Sequence, residues 1–327
     1  MRNEFKICIL VLALLTGSCD KKNDGVIQPV DPEKLPQVIL FDDEEAGETE
    51  DSDEAEFTLT LLDRIDPSGE ELGGTVVPLA SGVTVSFEIS DIEGFDRVGD
   101  YILEAEASYE IDDCNDEDVP VTFDPATGKG TVVFPAGAEE VEVTFVLNED
   151  LFDDDIVNDD DRGFKVRLTG VTGGSEPVVA NTDLEFEYKV LDDDVIFGEW
   201  ELEDDLDGFK ALFGFLDDDI PGLAAAEIKG IRFEFGLNEL EIEIELEEEE
   251  EDDCGEWDNK TIEIEAEYDD LTDDKKEGEI RFIVEVEDEE GFVEEVEYSG
   301  TFVIKGEIME ITLEVDGTQR TLKLKRD

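Results

Sequence analysis

The chain has 327 residues, with 97 acidic and 24 basic side chains and a net charge of −73. A surface so negative repels phosphate backbones and anionic lipid headgroups, which excludes nucleic acid as a partner. The chain contains no histidine, so the commonest general base and zinc ligand are missing, while 39 % hydrophobic residues leave enough apolar material for a core.

In chain order, residues 1–18 read as an export leader. Arg2 and Lys6 are positive, and an apolar run over 7–15 follows that is too short to span a bilayer as a helix. Leu15-Thr16-Gly17-Ser18-Cys19 resembles a bacterial lipobox, which implies that Cys19 is the lipidated first residue of the mature chain. Removing residues 1–18 takes away Arg2, Lys6 and Glu4 and leaves the mature protein one charge more negative. Residues 19–36, with Lys21, Lys22, Gly25 and three prolines, read as a flexible tether. The expected location is the bacterial outer membrane or cell envelope, lipid-anchored and either periplasmic or surface-exposed.

From residue 37 to 194 the pattern is that of strands. Segments 38–41, 56–62, 83–90, 101–111 and 119–123 are strand candidates. Asp124-Pro-Ala-Thr-Gly-Lys-Gly130 is a turn, without the glycine spacing or following helix of a phosphate loop. Val141, Val143, Phe145 and Leu147 alternate with polar residues, as do Phe164, Val166 and Leu168, and Phe186, Tyr188 and Val190. Period-two alternation across segments joined by Gly-, Pro- and Asp-bearing turns predicts a β-sandwich. The run from Asp153 to Asp161 has no register that supplies the central Gly and closing Glu of an EF-hand. It reads instead as a solvated or ion-associated loop.

Residues 37–194 resemble the Calx-beta domain family. The likeness lies in Phe134-Pro-Ala-Gly137, the strand to Leu147, Asn148-Glu-Asp150, the strand from Phe164 to Leu168 and the closing Asp192-Asp193-Asp194. Fainter echoes stand at Glu45-Ala-Gly47, over 83–90 and at Gly99-Asp-Tyr101. Where that family carries Glu-x-x-Glu-x-Phe, this chain places Asp159, Asp161 and Arg162. The resemblance implies a seven-stranded, immunoglobulin-like sandwich that binds calcium through acidic residues at one end. The candidate ligands, each at or beside a predicted strand end, are Glu45, Asp100, Asp150, Asp159, Asp161, Asp192, Asp193 and Asp194.

Past residue 194 the pattern changes. Ile196 to Leu202 is an opening strand with Trp200 as its anchor, and Leu206, Phe209, Leu212, Phe213 and Leu216 recur at helical spacing, predicting a helix over 205–217. Alternating strands are predicted over 231–235, 240–246, 262–268, 280–286, 292–298, 301–304, 308–315 and 321–325, with Asp316-Gly317 as a two-residue hairpin turn. One face of each is mostly Glu and the other apolar, so the meander must close on itself or pack on another layer. The pattern resembles the lipocalin-like domains of bacterial lipoproteins. That implies a small antiparallel barrel over 195–327, either holding an apolar ligand or filled by its own side chains. The acidic block 247–253 reads as a self-repelling loop.

Of the four cysteines, Cys8 lies in the leader and Cys19 takes the lipid. Cys114 and Cys254 each follow Asp-Asp, one in each domain, and are expected to be isolated thiols, although an exported location permits a bond between them. The fold class is thus all-β: a Calx-beta-like sandwich, then a small antiparallel barrel with one short helix. The expected function is that of a membrane-anchored, extracytoplasmic, calcium-binding structural or adhesive module, not an enzyme. Its expected partners are the membrane, divalent cations and a protein or glycan. The alternatives are a carrier of a small apolar ligand and an acidic, salt-adapted surface protein with no specific metal site.

Overall fold

The computed structural model describes residues 36–326, apart from 50–51, 63–77, 113, 149–161, 204, 215–227, 252–253, 256, 274, 288–292 and 316. Cys19 and the tether therefore lie outside the described residues, apart from Pro36.

The first region contains Gln37–Phe41 (β1), Glu45–Thr49 (β2), Glu54–Leu61 (β3), Val83–Glu93 (β4), Val98–Tyr101 (α1), Ile102–Asp112 (β5), Asn115–Asp118 (β6), Val121–Asp124 (β7), Lys129–Phe134 (β8), Glu140–Leu147 (β9), Gly163–Gly173 (β10), Val178–Ala180 (β11) and Glu185–Leu191 (β12). Two six-stranded sheets result, in the orders β11-β1-β3-β9-β5-β6 and β2-β12-β10-β4-β8-β7. The sandwich is as predicted, but among the described residues it has twelve strands where the family likeness implied seven. The first strand is split: β1 pairs with β3 in one sheet, while β2 crosses over and runs parallel to β12 in the other. Alternation places Phe41, Phe57, Phe87, Phe145, Phe164 and Phe186 between the sheets, each at most 3 % exposed. Phe57 lies 5.5 to 6.0 Å from the rings of Phe41, Phe87, Phe145 and Phe186, so one aromatic cluster ties the two layers. The 124–130 turn is confirmed. Asp124 accepts from Ala126 N and Thr127 Oγ1, and Gly128 takes the positive φ of 65° that a side chain would resist.

The second region contains Gly198–Leu202 (β13), Leu206–Phe213 (α2), Ile228–Phe235 (β14), Glu239–Glu251 (β15), Trp257–Leu271 (β16), Glu277–Glu287 (β17), Val293–Lys305 (β18), Ile308–Val315 (β19) and Thr318–Arg326 (β20). Each strand pairs with the next, and β13 pairs with β20, closing an eight-stranded antiparallel barrel. Closure removes the open edges that an amphipathic meander would otherwise expose. The helix starts where amphipathic spacing placed it, capped by the Asp205 carboxylate, which accepts from Gly208 N at 2.9 Å. Val315 faces Thr318 across the predicted two-residue turn.

Three expectations need correction. The strands expected over 292–298 and 301–304 are not separate, because Val293–Lys305 is one strand, β18, continuous through Gly300. A Cβ at Gly300 would sit 2.1 Å from the Thr312 carbonyl oxygen, so this glycine admits a neighbouring backbone and does not mark a turn. The block expected to be a repelling loop continues β15 to Glu251, where Glu249, Glu250 and Glu251 pair with Asn259, Asp258 and Trp257 beyond a bulge. Finally, Cys114 and Cys254 are not isolated thiols. They form a disulfide across 140 residues of sequence, with Cα atoms 5.4 Å apart, joining the β5–β6 turn to the β15–β16 turn.

Two separate apolar cores lie behind these elements, one between the sheets and one inside the barrel. Within the barrel, Phe213 of α2 contacts both Phe233 on β14 and Tyr298 on β18, with ring centroids 6.5 and 4.8 Å away. Four strand positions separate β14 from β18 in a barrel of eight, so one ring bridges opposite walls. Tyr298 also donates its hydroxyl to the Leu212 carbonyl at 3.3 Å. The lumen at this level is filled by the protein's own side chains.

Candidate functional site

A hydrogen-bonded polar feature lies where the two regions meet. The segment between β12 and β13 is short and acidic at its start, and its second half is apolar, so it folds into the barrel instead of remaining a solvated hinge. Asp192 accepts the backbone N–H of Asp194 at 2.8 Å, turning the chain, and Val195, Ile196 and Phe197 are buried in the barrel core. Trp200 Nε1 donates to the Ile196 carbonyl at 2.8 Å. Arg326 donates to the carbonyls of Val195 and Phe197 at 2.9 and 3.1 Å, and its guanidinium carbon lies 4.2 Å from the centre of the Trp200 ring. A fork of fixed donors meeting two carbonyls, stacked on an indole, orders the junction more strongly than a lysine there would.

Beside this clamp is a cleft of about 320 Å³. The sandwich edge contributes Gly47, Glu48 and Thr49, and the barrel contributes Glu199, Glu234, Phe235 and Arg326. Gly198, with φ of 91°, allows close approach: a Cβ there would lie 3.2 Å from Thr49 Cγ2. The barrel wall continues the acidity, because Glu234 faces both Glu199 and Glu241, and Glu241 faces Glu265, in a row across four strands. Like charges opposite one another disfavour the sheet unless something offsets them. Part of the offset is Arg232, which pairs with Glu243 and, at 3.3 Å, with Glu199. What Arg232 does not offset remains as repulsion and lost hydration within the row. Loss of solvent, and then repulsion from Glu199, pushes the Glu234 carboxyl above its ordinary range despite Arg232, and Glu241 is raised by loss of solvent and then by Glu234. Glu48 reaches solvent, yet the cleft walls remove part of its hydration, and Glu234, Glu56 and Glu199 add repulsion, so it too is raised.

This fixes the direction of a pH effect. A carboxyl raised in the folded state binds its proton more tightly there than in the unfolded chain, so its unfavourable contribution grows as pH rises through and above the ordinary glutamate range of about 4.3. Replacing Glu234 by Gln is therefore expected to raise the melting temperature at neutral pH, and the gain should shrink as pH falls towards about 4.5. Melting curves of the two proteins across that window test this. A gain that is constant with pH, or absent, contradicts it. Glu45 and Glu88 act the other way, because Lys189, and Arg167 with Lys129, hold their carboxyls below the usual range.

The described members of the expected calcium set each make contacts of their own. Glu45 on β2 pairs with Lys189 at 2.6 Å, Asp100 in α1 pairs with Arg97, and Asp194 pairs with Lys276 at 2.6 Å. Asp192 caps the junction turn, and Asp193 lines the cleft. Asp150, Asp159 and Asp161 lie outside the described residues. Among the described residues, no group of three or more Asp, Glu, Cys or His side chains is arranged to hold a metal ion. The residues that sequence reasoning missed are Glu48, Glu199, Glu234 and Arg326. Trp200, as the predicted anchor, and Asp192 and Asp193, as candidate ligands, pointed towards this junction.

No family model matches the chain, and no curated protein matches it. Among solved structures, the crystal structure of the apo form of the Calx CBD1 domain aligns with 49 % of this chain and 99 % of its own length, at 16 % identity and a TM-score of 0.27. A likeness at that score carries no argument about what this chain binds.

Proposed function

We propose that the protein is a lipid-anchored, extracytoplasmic structural module of the bacterial envelope, without catalytic activity, in which two β domains are held together to present a strongly acidic surface. The observation behind this reading is the Cys114–Cys254 disulfide, which joins hairpins from two different cores. Such bonds persist in oxidising compartments outside the cytoplasm, in keeping with the export leader and the lipidation at Cys19 that the sequence leads us to expect. The surface is suited to cations and to basic protein segments, and the cross-strand glutamate row gives dissolved salt a general stabilising role through screening. Asp150, Asp159 and Asp161 lie outside the described residues, and a calcium site built with them is the alternative that metal titration decides.

Expression with a labelled fatty acid tests the anchor. The natural chain is expected to take up label and fractionate with membranes, and Cys19→Ala is expected to do neither. If Cys19→Ala is labelled and membrane-bound, the anchor reading is wrong. The same preparations separate screening from a metal site. In molar sodium chloride, millimolar calcium should shift the melting temperature no more than equal magnesium does. A rise specific to calcium, on the order of 5–10 °C, would instead establish a calcium module built with the residues outside those described.

A further inference from the structure

The disulfide sits in an unusual electrostatic setting. Cys114 and Cys254 are both exposed. The β5–β6 hairpin has no lysine or arginine over residues 102–118, and the β15–β16 hairpin has only Lys260 over residues 239–271. Asp112 accepts the backbone N–H of Cys114 at 3.2 Å and the Asn115 amide at 2.6 Å, which fixes a carboxylate within the same turn. Asp116 follows two residues after Cys114 and stands opposite Glu110, while Glu117 and Asp118 continue the fully exposed edge strand β6. At about 3.3 Å per residue, Asp112 and Asp116 fall within one Debye length, about 10 Å at 0.1 M salt, of the bond.

We propose that the Cys114–Cys254 bond is a charge-guarded redox clamp, exposed to solvent yet resistant to anionic thiols, that keeps the two domains joined until a neutral or cationic thiol reaches it. In the exchange, a thiolate attacks one Sγ, forms a mixed disulfide and expels the other cysteine as a thiolate, which takes a proton from water. A second thiolate then attacks the reductant's own sulfur in the mixed disulfide and releases the remaining cysteine. The protein bond gains two electrons, and two molecules of the low-molecular-weight thiol become one disulfide. The carboxylates oppose both halves of the first step: they repel an incoming anion, and they disfavour the thiolate that must leave. A thiol carrying an ammonium group is attracted where one carrying carboxylates is repelled. Exposure alone would predict a labile bond, and the charge distribution reverses that expectation for anionic partners.

The test uses the oxidised full chain, with glutathione as the anionic thiol, 2-mercaptoethanol as the neutral one and cysteamine as the cationic one. Rates are normalised to thiolate concentration. Release of thiols is followed by alkylation and mass, and independently by fluorescence, because Trp257, one of only two tryptophans, is 66 % exposed and three residues from Cys254. At low ionic strength cysteamine is expected to react at least about tenfold faster than glutathione, and molar salt should collapse the difference. The triple variant Glu110→Gln, Asp116→Asn, Asp118→Asn alters only exposed side chains and should narrow the ratio without salt. Equal normalised rates at low salt overturn the proposal, as does a ratio unchanged by both salt and the triple variant. A freshly exported chain whose mass shows two free thiols at these positions overturns it as well.

Discussion

Replacing Cys114 and Cys254 together by serine is expected to lower the free energy of unfolding by about 2–5 kcal/mol. The bond closes a loop of 140 residues. In the chain-entropy description a loop of that length restricts the unfolded ensemble by about 5 kcal/mol, and residual structure in the denatured chain reduces the figure. The native cost of the exchange is small, because both cysteines are exposed and serine occupies less volume in the same turns. The loop contains strands of both cores, so the effect should also be visible in cooperativity. Urea unfolding of the oxidised protein, followed by circular dichroism and by tryptophan fluorescence, should show coincident transitions that separate in the variant. Trp200, buried in the barrel, reports one core, while total strand content reports both. If the variant has the same midpoint and the same coincidence as the natural chain, the bond does not couple the domains.

Phe213→Ala is expected to destabilise the barrel by about 3–5 kcal/mol, the range for removing a fully buried aromatic ring. Phe213 is fully buried, and its neighbours are Phe209 at 4.7 Å, Tyr298 at 4.8 Å and Phe233 at 6.5 Å. Because those neighbours come from α2 and from opposite walls, no single element can collapse into the space. The loss should therefore fall in the upper part of the range. Leu206, at the exposed start of the same helix and 37 % accessible, serves as the control, and Leu206→Ala should cost under about 1 kcal/mol. The same variant bears on the carrier alternative. A barrel filled by its own rings should bind a small apolar probe such as benzene only after Phe213 is shortened, as dry engineered cavities do. Binding of such a probe by the natural protein at comparable affinity would show a pre-existing lumen and return the carrier reading to the front.

Local pattern was enough to establish the class of the fold. A two-residue period needs only neighbouring residues to be visible. That is why the strands that pass through Leu147, Leu168 and Val190, the amphipathic start of α2 at Leu206 and the hairpin that pairs Val315 with Thr318 were all legible before any contact was known. The same logic explains the local errors. Gly300 looks like a break in sequence, because whether a glycine ends a strand or admits a neighbour depends on Thr312, which lies on another strand. The glutamates at 249–251 look like a repelling loop until their partners at 257–259 are in place. Pairings across long stretches leave no local trace at all. Nothing in the residues around Cys114 indicates Cys254. Nor does the spacing of Glu48, Glu199, Glu234 and Arg326 indicate a shared cleft, since these four come from β2, β13, β14 and β20. The sequence by itself determined which residues face inward and that the surface would be overwhelmingly acidic. Only the tertiary structure decided which carboxylates face one another, which cation sits among them and which thiols meet, because those depend on how distant strands close into sheets and barrel.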